Sequence, residues 1–126
     1  MGTRSVVTFM EDNQHICSIY QQYDGYLSGV GMELASFLDG IKIVNGIGHS
    51  PERVANGIEC LAAQFIREYK TDAGGLYVIS HPQEEEFNYV VNYDSDSQSL
   101  TVKVNDSSPV SLQDFIGMVK NADDYG

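Results

Sequence analysis

Apolar residues recur along this chain with two different periods, and the changes of period mark its elements. Ser5 to Met10 and His15 to Gln22 read as two strands around a polar turn, Glu11-Asp12-Asn13-Gln14. In the second strand Ile16, Ser18 and Tyr20 fall on one face, and Cys17, Ile19 and Gln21 on the other. The pair is a predicted β-hairpin. The period then lengthens. Leu34, Phe37, Leu38 and Ile41 recur at i, i+3, i+4 and i+7, the stripe of an amphipathic helix that Gly40 ends. Ile41 to Val44 reads as a short extended stretch and Asn45 to Gly48 as a loop. A longer helix is predicted over Pro51 to Lys70. Ser50 stands at its N-cap, Pro51 in the first position and Glu52 near the positive end of the dipole, with Gly74-Gly75 beyond its end. Val54, Ile58, Leu61, Ala62, Phe65 and Tyr69 form its apolar stripe.

The period of two returns in the second half. Leu76 to Ser80 is short and apolar, as a central strand is. Phe87, Tyr89, Val91 and Tyr93 alternate with Asn88, Val90 and Asn92, and Leu100, Val102 and Val104 alternate with Thr101 and Lys103. Asp94 to Ser97 forms the turn between these last two, so the three strands read as a meander. Ser111 caps a final helix with Asp114 three residues on, and Asn121 to Gly126 is expected to fray. The order ββ-αα-βββ-α, with strands and helices in runs, predicts one α+β domain over residues 1–126. Its sheet is mostly antiparallel, with the helices packed on one face.

Composition narrows the function more than the fold. Eighteen acidic residues against seven Lys and Arg leave a net charge of −11. Seven scattered cations cannot build the basic stripe that a phosphate-backbone binder needs, so neither nucleic acid nor an anionic membrane is an expected partner. No apolar run approaches a membrane span, and the first residues carry no secretory h-region. Cys17 and Cys60 each sit in an apolar pattern and are expected to be reduced and mostly buried, in keeping with a cytoplasmic setting. His15, His49 and His81 lie far apart with no metal-binding spacing, so no metal or cofactor is expected. The run Glu84-Glu85-Glu86 reads as a solvated turn.

Candidate chemistry concentrates in one place. Tyr20, Gln22, Tyr23, Asp24 and Tyr26 are followed by a loop containing Gly25, Gly29 and Gly31. Tyrosine supplies contact area with a hydroxyl handle, the composition of a binding surface. The amides of Gly29-Val30-Gly31, opening a helix, are in position to cradle an anion. A tyrosine cluster at a hairpin end with Asp24-Gly25 as a plain turn is the simpler alternative. Arg4 precedes the first strand and Asp24 follows the second, so the hairpin brings both to one end, where they form a charged pair. Asn45, Asn56 and Gln64 are further polar candidates, with Gln64 placed on the surface.

These motifs together resemble a family of small proteins encoded by tailed bacteriophages and prophages. The likeness rests on Gly2-Thr3-Arg4-Ser5, Tyr20-Gln21-Gln22-Tyr23-Asp24-Gly25-Tyr26, Gly31-Met32-Glu33-Leu34-Ala35-Ser36-Phe37-Leu38, Val44-Asn45-Gly46-Ile47 and Cys60-Leu61-Ala62-Ala63-Gln64. It covers roughly the first 80 residues. In that family proline commonly follows the Asp-Gly-Tyr triplet and histidine often stands between two loop glycines; here those positions are Leu27 and Val30. The resemblance implies a phage accessory gene expressed in the host bacterial cytoplasm, and it carries no reaction with it. Three expectations follow. The first is an acidic, anti-CRISPR-like inhibitor that occupies the basic surface of a bacterial immune protein. The second is a sponge for a small nucleotide signal, with tyrosines stacking on the base and Arg4 or loop amides on the phosphate, in a pocket that two copies of the chain often share. The third is a small hydrolase with Asp24 as base.

Overall fold

The computed structural model describes residues 2–44, 54–81 and 83–125. Strands β1 (Ser5–Glu11) and β2 (Gln14–Gln21) form the predicted hairpin. Its turn is Asp12-Asn13, both at positive φ (50° and 66°), the pairing that matches strand twist in a two-residue connection. A single π-helical turn, Leu27–Gly31, runs directly into α1 (Met32–Leu38). Strands β3 (Lys42–Val44) and β4 (Val54–Asn56) pair in parallel as a small separate sheet, and α2 covers Gly57–Tyr69. Then follow β5 (Leu76–Ile79), β6 (Phe87–Asp94), β7 (Ser99–Val104), β8 (Val110–Ser111) and α3 (Leu112–Tyr125). The chain is an α+β domain whose six-stranded sheet has the order β5-β2-β1-β6-β7-β8. Only the β1–β6 pair within it is parallel.

The core lies on one face of that sheet. Val7 and Phe9 of β1, Ile19 of β2, Tyr89 and Val91 of β6, and Val102 of β7 are in register and fully buried. Phe65 of α2 packs edge-on to Phe9 with ring centroids 5.7 Å apart, and Phe37 of α1 packs edge-on to Phe65 at 5.3 Å. On the other side of the sheet's midline Phe115 of α3 meets Tyr89 at 6.2 Å. All three helices thus cover the same face. Aromatic side chains of this kind bury the most apolar area per residue, and edge-on pairs add to that burial.

Four details depart from the sequence reading. First, α2 begins at Gly57, whose φ is +83°, because residues 54–56 extend to pair with β3; the Ser50 cap, Pro51 and Glu52 fall outside the described residues. Second, β5 lies at an edge of the sheet beside β2, leaving Tyr77 42 % and Val78 63 % exposed. The meander is therefore broken: β5 and β6 are not neighbours, and residues 83–86 lie beside Val6 and Thr8, which are buried on the face opposite the helices. Third, a bulge between Phe9 and Met10 pairs Phe9 with Cys17 and Met10 with His15, so Ile16 packs towards the core and His15 turns to the opposite face. Fourth, Cys17 and Cys60 are only half-buried, and α3 continues through the expected fraying point to Tyr125. The Ser111 cap is as expected, its Oγ accepting the Asp114 amide at 3.1 Å.

Leu61 sits fully buried where α2 faces the sheet. Leu61→Asp should place an unpaired carboxylate there and cost several kcal/mol, enough to unfold a marginal domain. Circular dichroism melts of the variant and the parent check this; coincident curves would remove Leu61 from the core.

Candidate functional site

The chain leaving β2 meets the chain entering β1, as the hairpin geometry requires. The Gly25 amide donates to the Thr3 carbonyl at 2.9 Å, and a Cβ on Gly25 would lie 2.7 Å from that of Ser5. Glycine is needed here for close approach. Behind it, the Tyr89 hydroxyl donates to the Gly25 carbonyl at 2.7 Å from within the core. Burial pushes the Tyr89 phenol far above its ordinary range, so it stays protonated and remains a donor.

From this anchor the loop closes on itself. Asp24 adopts a positive φ of 59°, and its carbonyl accepts the Val30 amide at 2.7 Å. The Tyr26 carbonyl accepts the amides of Gly29 and Gly31 at 2.9 and 3.3 Å. A Cβ on Gly29 would collide with the Asp24 carbonyl. The amides expected to cradle an anion are therefore engaged within the loop; Gly25 and Gly29 let backbone approach backbone, and Gly31 makes room for the side chains of Leu27 and Tyr89. Nor do Arg4 and Asp24 form the expected pair. Their backbones are close, yet among the described residues Arg4 makes no ion pair, and the Asp24 Oδ1 accepts the Tyr26 hydroxyl at 3.0 Å instead.

What remains on the surface is a cleft of about 580 Å³ between the end of β2, the first turn of α1 and the α2–β5 connection. Gln21, Gln22, Tyr23 and Asp24 line one wall, Glu33 and Tyr69 the floor, and Asp72 to Gly75 the other wall. Two bonds tie the walls together: the Gln22 amide donates to the Gly75 carbonyl at 2.9 Å, and the Gly75 amide donates to Gln22 Oε1 at 3.0 Å. The Tyr69 hydroxyl donates to the Glu33 carbonyl at 2.8 Å, fixing α1 against α2. Tyr23 stands 60 % exposed at the rim.

Three carboxylates, Asp24, Glu33 and Asp72, share this cleft. Loss of water at half-buried Glu33 raises its carboxyl above the usual glutamate range, and the Asp24 charge adds to the rise. Lys70 lies close in sequence but donates to the Gly74 and Leu76 carbonyls at 3.1 and 2.9 Å, with its Nζ 5.3 Å from the Tyr77 ring centroid. Gln21 is 7 % exposed, and its Oε1 is buried without a hydrogen-bond partner. Its cross-strand neighbour Ser5, fully buried, leaves its Oγ unpartnered as well.

The sequence-predicted residues thus divide. Gln22, Tyr23 and Asp24 line the cleft, Tyr26 hydrogen-bonds to Asp24, and the glycines build the loop beneath. Tyr20 belongs elsewhere, half-buried on the opposite face with its ring 6.1 Å from that of Tyr77. Arg4 is exposed. Gln64 is half-buried rather than on the surface: its Nε2 donates to the Val54 carbonyl at 3.1 Å. Asn45 and His49 fall outside the described residues.

Sequence reasoning missed Gln21, Glu33 and Asp72. Glu33 was visible only as a first-turn acid that complements the α1 dipole. A hydrogen-bonded chain on the opposite face was missed too: His15 Nε2 lies 2.7 Å from Ser18 Oγ, which lies 3.0 Å from Thr8 Oγ1. Ser18 is fully buried, so this chain satisfies hydroxyls inside the fold.

Gly29→Ala should cost more than about 3 kcal/mol, because backbone rather than a movable side chain blocks its Cβ. A urea titration against the parent measures it. Glu33→Gln should act in the opposite direction. Glu33 holds its proton more tightly folded than unfolded, so stability falls as pH rises from the ordinary glutamate value, and the loss is complete above its folded value. The variant should melt above the parent at pH 7, and the two should converge below the ordinary glutamate pKa. Equal melting at pH 7 would contradict this environment.

No helix among the described residues is long and apolar enough to cross a membrane, and none of their His, Cys, Asp and Glu residues group so as to hold a metal ion. No protein family, curated protein or solved structure matches the chain.

Proposed function

We propose that this chain is an acidic binding protein that docks a basic protein partner on the face carrying the Tyr23–Asp24 cleft. One observation carries the reading: the loop amides are engaged internally, and the described residues lining this face include three carboxylates and no Lys or Arg. Carboxylates unopposed by cations suit a cationic surface. The resemblance to phage proteins supports a specific role, that of an antagonist of a bacterial immune effector acting in the host cytoplasm. The charge of −11 speeds encounter with any such basic groove.

The nucleotide-sponge reading draws less support, since the amides that would hold a phosphate already have partners and Arg4 lines no part of the cleft. A hydrolytic role for Asp24 also lacks a companion. No serine, cysteine or histidine is among the described residues of the cleft, and Oδ1 of Asp24 takes the hydroxyl of Tyr26. Binding is the reading that these contacts favour.

Capture of partners from bacterial lysate, followed by calorimetry on the captured protein, tests the proposal. Asp24→Ala and Tyr23→Ala should each weaken binding by about 1–3 kcal/mol, the scale of an interface hot spot, while Arg4→Ala changes little. If Arg4→Ala proves the worst and heat releases a nucleotide, the sponge reading replaces this one. Unchanged binding by all three would move the interface to another acidic surface, such as Glu84 to Glu86.

A further inference from the structure

We infer that the inner end of the cleft is an arginine socket, in which Asp24, Glu33 and the Gln21 side-chain carbonyl receive the guanidinium of an arginine on the docking partner. This rests on the reading above and adds what anchors the partner.

Gln21 gives the most direct indication. It is more than nine-tenths buried, it lines the cleft, and its Oε1 has no donor. A buried acceptor left unpaired is costly, and an incoming N–H recovers that cost. Beside it, half-buried Glu33 and neighbouring Asp24 concentrate negative charge. Among the described residues that line the cleft there is no Lys or Arg to neutralise them. Lys70 is held by two carbonyls and the Tyr77 face, Arg67 lines a separate cleft beside Phe37 and Ile41, and Arg4 makes no ion pair.

The arrangement favours guanidinium over other cations. The acceptors sit on different elements, with Gln21 at the end of β2, Asp24 in the loop and Glu33 in α1. A planar fork with five N–H donors reaches several such acceptors at once, whereas an ammonium is a compact point charge. A metal ion needs three or more ligating groups drawn together, and no such set occurs among the described residues. Tyr23 at the rim offers an exposed ring on which a guanidinium stacks.

The test is a titration of the intact protein, followed by amide NMR, with N-acetyl-arginine methylamide, with the lysine counterpart and with calcium chloride alone. The arginine probe should give saturable shifts at Gln21, Tyr23, Asp24 and Glu33. Asp24→Asn and Glu33→Gln should each weaken its binding about tenfold, the scale of one charge-assisted bond, and Glu86→Gln should leave it unchanged. Each variant's own spectrum reports whether it is folded. Equal response to the lysine probe, shifts spread over the whole acidic surface, or cleft shifts with calcium alone would each overturn the socket. The two proposals fail separately. Loss of partner binding in Asp24→Ala and Tyr23→Ala without arginine-probe binding keeps the docking face and removes the socket. Arginine-probe binding at the cleft, with a captured partner indifferent to those variants, keeps the socket and removes the docking face.

Discussion

One hydrogen bond, from the Tyr89 hydroxyl to the Gly25 carbonyl, joins the centre of the sheet to the loop that builds the cleft. Without it a carbonyl would be buried unpaired, and the loop would have no fixed point against β6. With Gly25 held there, Asp24 must turn through positive φ, its carbonyl collects the Val30 amide, and the next residues wind into a π-helical turn. That turn sets where α1 starts, and so where Glu33 stands. A core tyrosine on one strand therefore positions carboxylates it never touches.

Much of this was legible in the sequence, and what was legible is local. The Asp12-Asn13 turn, the α1 stripe at Leu34, Phe37 and Leu38, and the Ser111–Asp114 cap all depend on residues a few positions apart. The strand order depends on partners far along the chain. Nothing in Leu76 to Ile79 reveals that its neighbour is β2, because an apolar run of four fits an edge or a centre equally. Likewise the alternation in β2 gave Ile16 the wrong face, since a bulge changes parity without changing composition.

The candidate site divides along the same line. Gln22, Tyr23 and Asp24 are contiguous, so composition alone picks them out. Glu33 and Asp72 join them only through tertiary packing, from the start of α1 and the turn after α2, while Gln21 is next in sequence and its burial on the helix-covered face is what composition does not reveal. The three glycines gave a true signal with an ambiguous cause. Glycine marks close approach, and the approaching bodies here are the chain's own: backbone at Arg4 and Asp24, and side chains at Ser5, Leu27 and Tyr89.

The parallel pairing of β1 with β6 also governs how the chain is made. On the ribosome the first hairpin can close as soon as β2 has emerged, but the other side of β1 must wait for Phe87–Asp94. Until then Val7 and Phe9 sit in a strand with one row of amides and carbonyls open, a ready template for any strand nearby. The strand that completes the sheet's centre is thus the later of the two partners that β1 receives, and its arrival closes the open row.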